Sequence, residues 1–474
     1  MIQIAVHDLV AATGARLIAD QDGAVCRGCV TDSRQVEPGS LFVAFPGERV
    51  DGNDFVSDAV RAGAACVVLT REPDRGLLDE AAARGCAVAI ASDPTALLLD
   101  LASWYRDRLR AVVVGVTGSV GKTTTKDLLA SVLAQRFRVH ATQGNFNNRV
   151  GLPLTVLGAP EDTEALVLEM GMNSVGEIHD LSCCARPDIG VITKIGTSHI
   201  GMLGSRTAIA QAKAEIMDGM AEGAVLVLSA EDDFTPTISD EALLRRGLVP
   251  LVCGRAADAD VRAGDVRLDA AGHPSFELVL PGGESVAAAL PIMGAQSVQN
   301  AVLAAGVAHE LGLSAVEIQA GLAAAHLTGR RQELRRAACG ARVVDDSYNA
   351  SPESMAAGLD LLAQLPCAGR RIAVLGEMGE LGEDAALLHG LVGAYAAARR
   401  PDLLVCVGGD GARTMASAAR TMGQPDARIR IEPGTDALLP GAEGLLGADD
   451  VLLVKGSRFM ELDRFVEEVC SDVR

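Results

Sequence analysis

The sequence predicts an α/β protein of three domains: a small N-terminal α/β domain over residues 1–95, a central P-loop domain with a doubly wound, mostly parallel sheet over 96–327, and a C-terminal Rossmann-like domain over 328–474. Three observations carry this reading. At 474 residues the chain outgrows a single core, and at about 150 residues per domain it divides into roughly three. Apolar runs of strand length alternate with helical patterns from end to end. A hydrophobic fraction of 49%, 22% charged residues and 51 glycines describe a packed, turn-rich globular protein, neither disordered nor fibrous.

In the first domain, Leu41–Phe45, Cys66–Leu69 and Ala87–Ile90 read as short strands, with a helix near Phe55 to Ala62. Thr31–Arg34 and Asp51–Phe55 set polar residues and glycine beside strand edges, as turns or as a ligand lip. A helix over Leu97 to Arg108 leads into the buried strand Ala111–Val116. Ala165–Leu168, Ile189–Ile192 and Ala224–Leu228 follow as further strands between helical patterns, the mark of a doubly wound sheet. Phe276 to Leu290, interrupted by Pro281-Gly-Gly283, reads as an inserted hairpin. After Thr328-Gly-Arg330 the alternation resumes with Arg342–Asp345, Ile372–Leu375, Leu403–Val407 and Val451–Val454.

The formal net charge of −20 excludes non-specific nucleic-acid binding, because phosphates are repelled across most of such a surface. The amino terminus lacks a basic segment followed by an apolar run, and the longest clean apolar stretches are strand-sized. A cytoplasmic protein with no stable membrane insertion is therefore expected. Eleven scattered cysteines point to reduced thiols rather than a disulfide framework, and Cys26-Arg-Gly-Cys29 has no second pair at zinc-ribbon spacing.

The chemistry concentrates at Thr117-Gly-Ser-Val-Gly-Lys-Thr-Thr124. A parallel strand, a glycine-rich bend and a helix aim consecutive N–H groups and the helix dipole at one point, where a phosphate fits. Gly118, Ser119, Val120 and Gly121 form the cradle, Lys122 brings mobile positive charge, and Thr123, followed by Thr124, offers a hydroxyl to magnesium. Val116 stands where the strict P-loop pattern has its first glycine. Glu169 and His199 fall at carboxyl ends of predicted strands, the usual ligand side. Lys213 lies on a helical pattern. Taken singly, each of these three reads equally as an ordinary polar residue.

Together the residues resemble a family. Thr117–Thr124, Asn145-Phe-Asn-Asn148 with Gly151 and Pro153, Glu169-Met-Gly171, Thr193 through His199, Ala212-Lys-Ala-Glu215, Asn300-Ala301, Gly329-Arg330 and Asp345–Ala350 resemble, in order, the signatures of the Mur ligases. Asp345–Pro352, Gly376–Gly382 and Lys455–Arg458 are similar to the branch that adds a D-alanyl-D-alanine dipeptide, and no Asp-Asn-Pro-Arg motif appears in the last domain. Arg149 and Ser198 depart from the pattern.

The resemblance implies an ATP-dependent ligase acting on UDP-N-acetylmuramoyl-tripeptide and D-alanyl-D-alanine through an acyl phosphate. Two magnesium ions are implied, one held by Thr123 and Glu169, the other by His199 and Lys213. The lysine of this family is similar to a carbamate, which would give Lys213 an anionic oxygen. Lys122, Glu169, His199 and Lys213 are the implied catalytic group. Asn300 is implied at the adenine, Arg330 and Asp346 at the phosphates and ribose, and Ser33, Arg34, Asn145 and Asn148 at the uridine substrate. Tyr348, Asn349, Lys455 and Arg458 would face substrate from a third domain that takes the dipeptide and closes on ATP. A monomer is implied as well. Rival readings are another amino-acid ligase of the same superfamily, a P-loop kinase or NTPase switch, and a binding protein that has lost catalysis.

Overall fold

The computed structural model describes residues 1–47, 50–329 and 332–470. Its chain builds a two-stranded ribbon and three larger sheets. The ribbon pairs Gln3–Ala5 with Val25–Arg27. The first sheet has five strands in the order Arg16–Ala19, Ala87–Ile90, Cys66–Leu69, Leu41–Val43, Cys29–Val30.

The second sheet has nine strands, of which seven run parallel. Val112–Thr117 lies between Ala165–Glu169 on one side and Ile189–Ile192 on the other. From the first of these the chain travels outward to Val139–Ala141 and Ala165–Glu169, then recrosses to Ile189–Ile192. The strand order therefore reverses beside Thr117, and that reversal opens a crevice at the carboxyl edge. All three inner strands are almost wholly buried, as strands covered by helices on both faces must be. The hairpin Pro274–Val279 with Ser285–Ala289 extends the same sheet antiparallel.

The third sheet, of six strands, is parallel except for Glu333–Arg336, which pairs antiparallel with Arg342–Asp346. That charged strand gave no apolar signal in the sequence. It sits on the sheet edge, where charge discourages pairing with other chains.

The helix expected over Leu97 to Arg108 runs from Pro94 to Arg106. Asp93 sets its start: the carboxylate accepts from the N–H groups of Thr95 and Ala96, and proline occupies the first turn. A domain boundary at 95/96 thus falls inside this first turn. Leu97, Leu98, Leu101 and Ala102 are buried at helical spacing, and the helix packs on Val6–Thr13, Gly151–Gly158 and Glu177–Ala185. Tyr105 donates its hydroxyl to Ala159 O at 2.8 Å, and Ile2 N–H reaches Leu157 O at 2.8 Å. One continuous apolar cluster joins these pieces across the first and second sheets.

Candidate functional site

The strand Val112–Thr117 ends in Gly118, with φ of 142°, and Gly121, with φ of 94°, precedes the helix Lys122–Leu133. Both angles lie in the region that favours glycine. The bend is pinned from the side: Ser119 N–H donates to Lys194 O at 2.7 Å, and the Thr193 hydroxyl donates to Val120 O at 2.7 Å. Ser119 to Thr124 line a cavity of about 380 Å³. Lys122 Nζ donates to Gly118 O at 2.8 Å, which folds the ammonium back over the bend.

Glu169 ends the adjacent strand and is 2% exposed. One carboxylate oxygen accepts from the Thr123 hydroxyl at 2.8 Å and the other from Asn147 Nδ2 at 2.7 Å. Asn147 was missed in the sequence. Only the outer asparagines of Asn145-Phe-Asn-Asn148 were singled out there, although the inner one supports the carboxylate. Asn148 lines the cavity but uses its Oδ1 to accept from the N–H groups of Val150 and Gly151, where the helix Gly151–Gly158 begins.

His199 stands on the wall in a left-handed conformation, φ 65°. Burial pushes its imidazole below the ordinary pKa, with Lys213 and Lys122 adding to the effect against Glu380. Lys213 lies behind the wall at 0% exposure, and its Nζ has no hydrogen-bond partner among the described residues. Burial, then the charge of Lys122, holds the amine well below its usual pKa, while Glu169, Glu177 and Glu215 pull the other way.

The far wall belongs to the third sheet. Asp346, Tyr348, Asn349 and Lys455 all line the same cavity. Lys455 is buried and donates to Asp346 at 2.6 Å and to Asn349 O at 3.0 Å. Asn300 closes the side next to Gly121, where its Oδ1 accepts from the Thr125 hydroxyl at 3.3 Å.

Some expected residues lie elsewhere. Arg458 points to solvent and pairs with Asp463 at 2.9 Å. Arg34 is exposed and forks onto Asp32, and neither it nor Ser33 lines the cavity. Arg330 falls outside the described residues. Cys26 is buried and Cys29 half-buried, both as free thiols.

A row of amides, a flexible ammonium and a helix start make this cavity an anion site of polyphosphate character. Thr123 and Glu169 offer hard oxygen donors of the kind that a magnesium ion takes. Among the described residues no three His, Cys, Asp or Glu side chains gather into a chelating cluster. That donor set suits magnesium, which is usually held by one or two carboxylates together with waters and substrate phosphates.

Three family descriptions match the chain: "Mur ligase family, catalytic domain" over residues 26–103, "Mur ligase middle domain" over 116–308, and "Mur ligase, glutamate ligase domain" over 330–458. The UDP-N-acetylmuramoyl-tripeptide–D-alanyl-D-alanine ligase of Bacillus subtilis is 37% identical, over 94% of this chain and 93% of its own. Among solved structures, MurF from Acinetobacter baumannii superposes with a TM-score of 0.88 at 30% identity, covering 99% of each chain. MurF ligase from Thermotoga maritima in complex with ADP gives 0.79 at 28% identity, over 94% of this chain and 97% of that one.

Proposed function

Since this chain belongs to the Mur ligase family, we propose that its cavity is where D-alanyl-D-alanine is joined to UDP-N-acetylmuramoyl-tripeptide, driven by ATP. The protein is an ATP-dependent ligase that forms the peptide bond completing the pentapeptide precursor of peptidoglycan. One observation carries the assignment of the site: a single cavity brings the phosphate bend and Glu169 opposite Asp346, Tyr348 and Asn349 of the third sheet. Phosphate chemistry on one wall and a second substrate's groups on the other is the layout an ATP-driven joining reaction needs.

The γ-phosphoryl group passes to the terminal carboxylate of the tripeptide, giving an acyl phosphate and ADP. The dipeptide amine then attacks the acyl carbon, the amide forms, and phosphate leaves. The amides from Val120 to Thr124 bind and orient the polyphosphate, with Gly118 and Ser119 shaping the bend, and Lys122 lies over it to balance charge on the group in transit. Thr123 and Glu169 are assigned to one magnesium ion, and His199 with Lys213 to a second. When bound, magnesium neutralises the phosphoryl oxygens and aligns the transfer. Asn147 fixes the Glu169 carboxylate from behind.

Lys213 suits the carbamate assigned to it. A neutral amine is the form that takes up carbon dioxide, and burial keeps this one below its usual pKa with no partner at Nζ. Its charged neighbours Lys122, Glu169 and Glu177 are all wall residues.

Residues 1–95 are assigned to the uridine nucleotide, 96–327 to ATP, and 328–474 to the dipeptide and to closure over the nucleotide. Asn300 is assigned to the adenine side, Asp346 and Arg330 to phosphate and ribose, and Asn145 and Asn148 to the UDP substrate. Ser33 and Arg34 keep an outer part of that substrate's path; Arg34 would have to release Asp32 to engage it. Arg458 would have to leave Asp463 and turn from solvent to engage a substrate. No helix among the described residues is long and apolar enough to cross a membrane, and we place the reaction in the cytoplasm, carried out by a monomer. The test is phosphate release from ATP with the UDP-tripeptide and each candidate acceptor. Release that requires D-alanyl-D-alanine supports the reading. Release without any acceptor favours an NTPase, and release with a single amino acid favours another ligase.

A further inference from the structure

The loop that carries His199 is gripped by two carboxylates from the third-sheet part of the chain. The Thr197 N–H and hydroxyl both donate to Glu353, at 2.8 and 3.0 Å. His199 Nδ1 lies 2.6 Å from a carboxylate oxygen of the half-exposed Glu380, an ion-pair contact without hydrogen-bond alignment, and makes no hydrogen bond among the described residues. The two backbones also touch: Gly201 N–H donates to Glu380 O at 2.9 Å. A Cβ on Gly201 would stand 2.4 Å from Gly382 N and 2.8 Å from Glu380 O, so this approach admits no side chain. Glu380 itself is held at φ 62° and His199 at φ 65°, each in the left-handed region at the point of contact.

We propose that Glu380 is a positioning residue for His199, delivered only when the third-sheet part of the chain is docked. The inference rests on the reading of His199 as a metal-facing residue. A histidine that faces a metal usually gives its other ring N–H to a carboxylate, which fixes tautomer and ring orientation. Here the carboxylate charge stands beside Nδ1, which favours the proton on that nitrogen and leaves the Nε2 lone pair for the cavity that His199 lines. The carboxylate comes from a loop about 180 residues along the chain, across the boundary between the second and third sheets. Docking of the third sheet therefore does more than cover the site. It selects the imidazole tautomer that makes the second cation position competent, and an undocked chain holds His199 in a mixture of tautomers.

The full-length protein, labelled with ¹⁵N-histidine, tests this directly. His199 is identified among the eight histidines by subtracting the spectrum of His199→Gln, with and without ADP and magnesium. Wild type is expected to show a protonated Nδ1 and a bare Nε2. Glu380→Ala shifts the ring to a mixture and lowers kcat about 10–100-fold, with KM for ATP changed by no more than about twofold. Glu380→Gln, which keeps an accepting oxygen, retains the tautomer and most of kcat. Gly201→Ala separates the loops without altering either side chain and reproduces the Glu380→Ala spectrum. An unchanged His199 spectrum in both Glu380→Ala and Gly201→Ala, or an unchanged kcat in Glu380→Ala, overturns the proposal. The ring spectrum does not depend on turnover. If the wild-type protein forms no amide, the functional reading fails by itself and the positioning claim is still decided.

Discussion

The hydroxyl of Thr123 and the carboxylate of Glu169 meet at 2.8 Å, tying the first turn of one helix to the end of the strand beside it. Glu169 is held on its other oxygen by Asn147 at 2.7 Å, so both rotational choices of the carboxylate are removed before any cation arrives. Asn147→Leu is expected to lower kcat about 10–100-fold and to raise the magnesium concentration needed for half-maximal rate, with KM for the dipeptide unmoved. A magnesium requirement identical to wild type would show that Asn147 has no hold on the cation.

Gly118 has the least room of the phosphate bend. A Cβ there would lie 2.1 Å from the Thr193 hydroxyl, and φ is 142°. Gly118→Ala should weaken ADP binding by more than about tenfold in calorimetry, because the amides lose their common focus. The melting temperature should fall as well, because alanine at this φ is strained and must displace Thr193, so affinity is measured well below the melting transition. Wild-type affinity in this variant would mean that the bend does not bind phosphate.

Lys213 makes a pH prediction whose sign follows from burial. Its folded pKa lies well below the ordinary 10.5. Between those two values the unfolded chain carries a proton that the folded chain lacks, so stability rises with pH through that window. In carbon dioxide-free buffer this slope is expected in urea unfolding of wild type and should be absent in Lys213→Met. That variant should be at least as stable as wild type while its ligase rate falls by about 100-fold or more. A Lys213→Met protein that keeps turning over would remove the carbamate from the mechanism.

Asp127 sits with Lys126 in a buried ion pair on the helix that begins at Lys122. Its carboxylate also accepts from the N–H of Thr328 at 2.7 Å and from the Thr328 hydroxyl at 2.6 Å. Thr328 is where the chain leaves for the third sheet, so the turning point of that unit is fastened to the phosphate-binding helix. Asp127→Ala leaves Lys126 buried and unpaired and should cost about 3–5 kcal/mol, read as a lowered urea midpoint. Thr328→Ala, which keeps the ion pair, should cost about 1 kcal/mol.

Much of this was legible in the sequence because buried parallel strands announce themselves: Cys66–Leu69, Ala87–Ile90, Ile189–Ile192 and Leu403–Val407 have the limits their apolar runs suggested. The phosphate bend was legible for a similar reason, since its chemistry lies in consecutive residues. Strands whose pairing depends on partners far along the chain were not legible. Gln3–Ala5 is too short, and Glu333–Arg336 too polar, to show a pattern. Glu169 was readable as a carboxylate closing a buried strand, whereas His199, expected at a strand end, stands seven residues beyond Ile192, and the course of that loop is what brings it to the cavity. Asn147, Glu353 and Glu380 act through other residues, and only the folded arrangement brings them to Glu169, Thr197 and His199.

The helix Pro94–Arg106 bears on how this protein could be cut or recombined. A fragment starting at residue 96 loses Asp93, the cap of that helix, at about 1 kcal/mol, and with it the helix Val6–Thr13 that packs there. Leucines 97, 98 and 101, now inside a shared core, would lose part of their cover and invite aggregation. The first hundred residues are thus not a detachable module. A swap of the substrate-binding end between relatives should keep expression and solubility only if this helix travels with its partners Val6–Thr13, Gly151–Gly158 and Glu177–Ala185.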